Sequence, residues 1–69
     1  MDVKRLGKKI KLARVERDLT QVQLARKIDG LQKAISLYET GQAIPTLEAL
    51  MKIARALKKP PAHFLEEAT

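Results

Sequence analysis

Apolar residues recur at steps of three and four along most of this 69-residue chain, the spacing of a buried stripe on an α-helix. Leu6, Ile10 and Ala13, with Leu12 and Val15 beside them, predict a first helix from about Val3 to Arg17. Asp18 can end it, because aspartate tolerates the left-handed conformation. Thr20 and Gln23 then stand at capping-box spacing, and Leu19 and Leu24 flank them as a hydrophobic staple does. Val22, Leu24, Ala25 and Ile28 supply the buried side of a short second helix, which the turn-forming pair Asp29-Gly30 breaks. The pattern resumes in a third helix from about Leu31 to Thr40, which buries Ile35 and Tyr38 and leaves Gln32, Lys33 and Ser36 outside. Gly41 is placed to close it. After a loop from Gln42 to Pro45, Thr46 can cap a fourth helix whose stripe is Leu47, Leu50, Ile53, Ala54 and Leu57. Lys58 and Lys59 suit its negative end, and Pro60-Pro61 forbids continuation while allowing a last short helix with Phe64 and Leu65. The expectation is an all-α fold of five helices without strands. Neither repeats nor linkers divide residues 1–69, so one domain is expected.

Composition narrows the chemistry. Cysteine is absent and His63 is the one histidine, so neither a disulfide framework nor a cysteine-histidine zinc site is available. No metal, cofactor or small-molecule ligand is expected. A domain this small buries only about 60% of the surface its unfolded chain exposes, so packing and caps must carry its stability. No apolar run exceeds three residues, which excludes a membrane span and a secretory signal and points to the cytoplasm. The formal net charge is +6 and the pI near 10.0, enough to attract a polyanion. Seven cations, Lys4, Arg5, Lys8, Lys9, Lys11, Arg14 and Arg17, stand against Asp2 and Glu16 in residues 1–17, so most of the charge lies there. That segment is either a solvated helix face or a phosphate-binding one, and charge alone does not choose.

Enzymatic arrangements are missing. Ser36 has no histidine or lysine placed as a catalytic partner, and His63 beside Phe64 reads as a surface or helix-start residue. Gly7-Lys8-Lys9 lacks the upstream glycine and the following hydroxyl of a phosphate loop. Glu66 and Glu67 are adjacent, so on a helix they diverge and read as a solvated tail.

Between Leu19 and Gly41 two short helices are joined by a tight turn. They must cross steeply, as helix-turn-helix units do when they present their second helix to a DNA groove. Around that unit, Arg14, Leu19-Thr20-Gln21, Leu24-Ala25, Ile35-Ser36, Tyr38-Glu39, Gly41, Pro45-Thr46-Leu47 and LMKIARAL from Leu50 to Leu57 follow in order. In this the chain resembles the lambda-repressor-like helix-turn-helix family of the Cro and XRE type over nearly its whole length, with the motif at about residues 20–40. The resemblance implies a compact five-helix fold whose third helix enters the major groove of double-stranded DNA. It implies base contacts from Gln32, Lys33, Ser36 and Leu37, and phosphate contacts from Gln21, Arg26, Thr40 and Gln42. It also implies a structural ion pair between Arg14 and Glu39. Independently of the family, a glutamine amide can pair bidentately with adenine and a lysine can donate to guanine. Without the motif, Gln32 and Lys33 would read as solvated helix residues. The function implied is a small transcriptional regulator, a repressor acting as a homodimer on a palindromic operator, in the cytoplasm or nucleoid of a prokaryote, archaeon or phage.

Several residues depart from the family pattern. Asp29 stands where relatives carry the glycine of the turn, and Leu31 where serine or threonine caps the third helix. Asp29 and Gln32 have capping-box spacing of their own, which would start that helix earlier and shift the register of base contacts. Leu37 puts an apolar group on the reading face, fit for a thymine methyl or for a protein surface. Ile44, in a loop that is charged or amide-rich in relatives, is expected to staple that loop to the fourth helix. The competing function is a protein-interaction module, antitoxin-like or an accessory subunit, using exposed Leu31 and Leu37. For a dimer, Leu57, Pro60, Phe64 and Leu65 are candidates, with the core of the monomer as their other destination.

Overall fold

In the computed structural model, which describes residues 2–65, the chain forms five helices. They are α1 (Val3–Glu16), α2 (Gln21–Lys27), α3 (Gln32–Glu39), α4 (Leu47–Ala56) and α5 (Pro61–Leu65). No strand occurs among the described residues. The predicted Glu66-Glu67 tail lies outside them.

Local chemistry explains most helix starts. The Arg5 N–H donates to the Asp2 side chain at 3.1 Å, and the Ala49 N–H donates to Thr46 Oγ1 at 3.1 Å. The Thr20–Gln23 capping box is complete, with the Gln23 N–H donating to Thr20 Oγ1 at 3.1 Å and the Thr20 N–H donating to Gln23 Oε1 at 2.8 Å. At α3 the N-cap is Leu31, whose side chain makes no cap hydrogen bond. The alternative start at Asp29 is not used, because Asp29 is engaged in ending α2.

Helix ends share one device. Asp18, Asp29, Gly41 and Lys58 each have positive φ, at 55°, 53°, 76° and 57°. The next residue's N–H returns to a carbonyl five residues back: Leu19 to Arg14, Gly30 to Ala25, Gln42 to Leu37 and Lys59 to Ala54, at 2.8–3.2 Å. These are Schellman closures, and they satisfy carbonyls that α1 to α4 would otherwise leave unpaired. Left-handed geometry thus falls on Asp29 rather than on Gly30, and α3 keeps the register that begins at Gln32.

The core gathers Leu6, Ile10 and Ala13 of α1, Leu24 and Ala25 of α2, Ile35 of α3, Leu50, Ile53 and Ala54 of α4, and Leu57 and Phe64. Leu57 and Phe64 are fully buried within the monomer, Leu65 packs against the same cluster, and Pro60 is exposed. The expected stripes were too wide. Leu12 and Val15 are 64% and 52% exposed because each lies two residues, about 200° of helix, from Ile10 and Ala13. Val22 stands in the same relation to Leu24 and is 39% exposed, while Leu47, at the first turn of α4, lies beyond the core. Ile44 is 59% exposed, and in that loop Pro45 is the buried residue.

Gly7 positions α1 against α3. It is buried in mid-helix, where glycine costs about 1 kcal/mol relative to alanine. A Cβ there would collide with the Tyr38 carbonyl oxygen and come within 2.8 Å of the Glu39 carbonyl oxygen. The two backbones approach at this point more closely than any side chain allows.

Candidate nucleic-acid interface

Close approach of α1 to the end of α3 brings Arg14 to Glu39. Arg14 Nε donates to Glu39 Oε2 at 2.6 Å and Nη2 donates to Oε1 at 3.1 Å. Arg14 Nη1 donates to the Leu19 carbonyl at 2.6 Å, which ties the α1–α2 connection into the same cluster. Only 2% of the Glu39 side chain is exposed and 11% of that of Arg14. A planar guanidinium facing a carboxylate with two parallel bonds is the strong, oriented form of ion pair.

Glu39 also holds Gln21, the first residue of α2. Gln21 Nε2 donates to Glu39 Oε1 at 3.1 Å, and Gln21 Oε1 accepts from Gln32 Nε2 at 3.5 Å. A polar chain therefore runs from Arg14 through Glu39 and Gln21 to Gln32, and it leads from the interior to the surface. Because Glu39 takes an amide hydrogen of Gln21, the Gln21 oxygen is turned toward α3. The starts of α2 and α3 thus lie side by side.

On α3, Gln32 and Ser36 form one row at i, i+4 and Lys33 and Leu37 form the next. Gln32 and Lys33 are exposed, whereas Ser36 and Leu37 are half-buried. The expectation of an exposed Leu37 is corrected here: it lies deeper along the helix, close to where α3 meets the following loop. Leu31 is 75% exposed. At the far end, Thr40 Oγ1 donates to the Ser36 carbonyl at 2.9 Å and Gln42 Nε2 donates to Thr40 Oγ1 at 3.0 Å. These bonds fold the loop against the helix end and leave both residues exposed.

Arg26 is not brought to this group. It lies five residues beyond Gln21 in the last turn of α2, rotated from it by about 140°. Lys4 is a residue that the sequence reading did not single out. A Cβ on Gly41 would come within 2.9 Å of Lys4 Cγ, so the exposed start of α1 flanks the Thr40–Gln42 loop. The only signal for it was the general basic cluster of residues 1–17.

Taken together, Gln21, Gln32 and Lys33 present amide and ammonium groups on one edge, with Thr40, Gln42 and Lys4 on a second. Such groups can bond base edges and phosphates. Among the described residues no group of histidine, cysteine, aspartate and glutamate is arranged to hold a metal ion, and no helix is long and apolar enough to cross a membrane.

Comparison with known proteins gives the same architecture. A family model described as helix-turn-helix matches residues 10–64. Multiprotein-bridging factor 1 of Candida albicans is 46% identical over 52 residues, 75% of this chain and 34% of that protein. Multiprotein-bridging factor 1b of Arabidopsis thaliana is 48% identical over 52 residues, 75% of this chain and 37% of that protein. The chain therefore spans about a third of the length of these curated relatives. Among solved structures, the restriction-modification controller protein of Aeromonas hydrophila superposes with a TM-score of 0.88 at 25% identity, covering 91% of this chain and 96% of that one. The clp gene regulator of C. glutamicum also gives a TM-score of 0.88 at 25% identity, covering 99% of this chain and 88% of the regulator.

Proposed function

This chain belongs to the helix-turn-helix family, and from that premise we propose that it binds double-stranded DNA in a sequence-specific way and regulates transcription. The observation that carries the reading is the bond between Gln21 and Gln32, anchored inward on Glu39. Through it a helix start suited to a phosphate lies beside a helix start suited to a base edge. Gln32 and Lys33 then read bases, with Ser36 and Leu37 further along α3. Gln21, Thr40 and Gln42 set the height of α3 in the groove, and Arg26 contributes charge from the side.

One such unit reads only a few base pairs, so useful discrimination requires two copies on half-sites about one helical turn apart. The regulator acts as a homodimer on a palindromic operator, and as a repressor by occupying it. Selection from a randomised duplex pool at about 0.15 M salt, followed by sequencing of the bound fraction, tests this directly. The expected result is a two-fold symmetric motif with half-site centres about 10 base pairs apart. Gln32→Ala should then relax preference at one base position per half-site, by about 1–3 kcal/mol.

A second reading has its own observation. Leu31 is three-quarters exposed at the start of α3, where a polar cap would serve a helix better. In that reading the scaffold joins proteins, as the name of the multiprotein-bridging factors says of them. A folded protein that enriches no DNA motif, and a Gln32→Ala variant indistinguishable from the parent, would favour it.

A further inference from the structure

We propose that the cleft between the C-terminal ends of α2 and α4 binds an acidic, amphipathic segment of a partner protein. The cleft is an open hollow of about 390 Å³. Lys27 stands on one wall and Lys52, Arg55 and Lys58 on the other, while Ile28 and Ala56 give it an apolar lining and Asp29 is its one carboxylate.

Cations near helix C-termini have an ordinary explanation, since each helix end carries about half a unit of negative charge. Here that explanation is too small. The ends of α2 and α4 together supply about one unit, Asp29 a second and Glu48 a third, and four cations face them. Glu48 reaches Lys52 only through an exposed contact of 3.5 Å, of the kind worth a few tenths of a kcal/mol. Among the described residues, the cleft keeps an excess of positive charge after Asp29, Glu48 and both helix ends are counted.

Its apolar side decides what sort of anion fits. Through Ile28 and Lys52 the cleft runs on into a second hollow of about 250 Å³ beside Ala34 and Ala49. A nucleic-acid backbone offers phosphates to the lysines but nothing to the apolar lining. A peptide helix with leucine or phenylalanine on one face and carboxylates beside them satisfies both, in the manner of helix-in-groove recognition. The inference does not depend on α3 reading DNA, because neither Gln32 nor Lys33 lines the cleft.

The test is a two-dimensional amide NMR titration of the isotope-labelled chain with a synthetic peptide of aspartate and glutamate carrying leucine and phenylalanine at i, i+4 spacing. Saturable shifts are expected at Lys27, Ile28, Lys52, Arg55 and Ala56. A scrambled peptide of the same composition should bind several-fold more weakly. The exposed double substitution Lys52→Glu, Arg55→Glu should weaken the patterned peptide at least about tenfold, and the variant's own spectrum reports whether it is folded. Shifts confined to α1 or α3, equal binding of the scrambled peptide, or unchanged binding by the folded variant would overturn the proposal. So would a uridine oligonucleotide that shifts the cleft amides more tightly than the peptide does.

Discussion

A carboxylate at the last residue of a helix faces that helix's own negative end, so Glu39 is tolerated in α3 because Arg14 meets it with two hydrogen bonds. Glu39→Ala removes the partner of a nearly buried guanidinium and frees Gln21 at once. The cost expected for a stranded charge is about 3–5 kcal/mol, a large part of what a domain of this size possesses. Arg14→Lys keeps the charge but loses the fork geometry, and it should fall between wild type and Glu39→Ala. Urea unfolding followed by circular dichroism measures the order, and equal midpoints for all three proteins would remove the pair from the stability of the fold. The family resemblance made the Arg14–Glu39 pairing legible in the sequence. The bond from Glu39 to Gln21 was not legible, because it depends on how side chains 18 residues apart are turned, which no periodicity records.

At the scale of the element, the left-handed closures carry a cost that glycine avoids. Three of the four are made by Asp18, Asp29 and Lys58, and an L-residue in that conformation is disfavoured by about 1–2 kcal/mol. Asp29 adds a negative charge at the negative end of α2. Asp29→Gly relieves both and gives back part through the freer unfolded chain, so a net gain of about 0.5–1 kcal/mol is expected. For a domain of this length that corresponds to a rise in Tm of about 2–8 °C, and an unchanged or lower Tm would mean that the carboxylate supports the turn. Helix existence was plain from the sequence, since Thr20 and Thr46 announce their caps and Gly41 its closure. The α3 start was ambiguous because Asp29 can serve either as a cap or as a closure, and only the tertiary crossing decides. Leu12, Val15 and Val22 were misplaced for a related reason: a composition of many apolar residues blurs which side of a short helix is covered. The packing role of Gly7 was not legible, because the need for a missing Cβ lies in another helix.

For the whole molecule, the excess of positive charge is more directional than the sequence alone indicates. Arg14 is committed to Glu39, Lys9 donates to the His63 carbonyl at 2.8 Å and Lys59 approaches Glu16 at 3.8 Å. Lys4, Lys8 and Lys11 share one face of α1 at helical spacing, and Lys4 borders Gly41 and the loop after α3. If that loop lies on a DNA backbone, Lys4 meets a phosphate, while Lys11 stands about 10 Å further along the helix axis. That distance is about one Debye length at 0.1 M salt, so Lys11 acts only through a screened field. Lys4→Gln should therefore weaken binding similarly on every duplex sequence and reduce the slope of log affinity against log salt by about one unit. Lys11→Gln should leave the slope nearly unchanged. Fluorescence anisotropy of a labelled duplex, titrated between about 50 and 200 mM salt, separates the two. Equal losses from both variants would mean that α1 attracts DNA as a diffuse field, and that Lys4 makes no contact of its own.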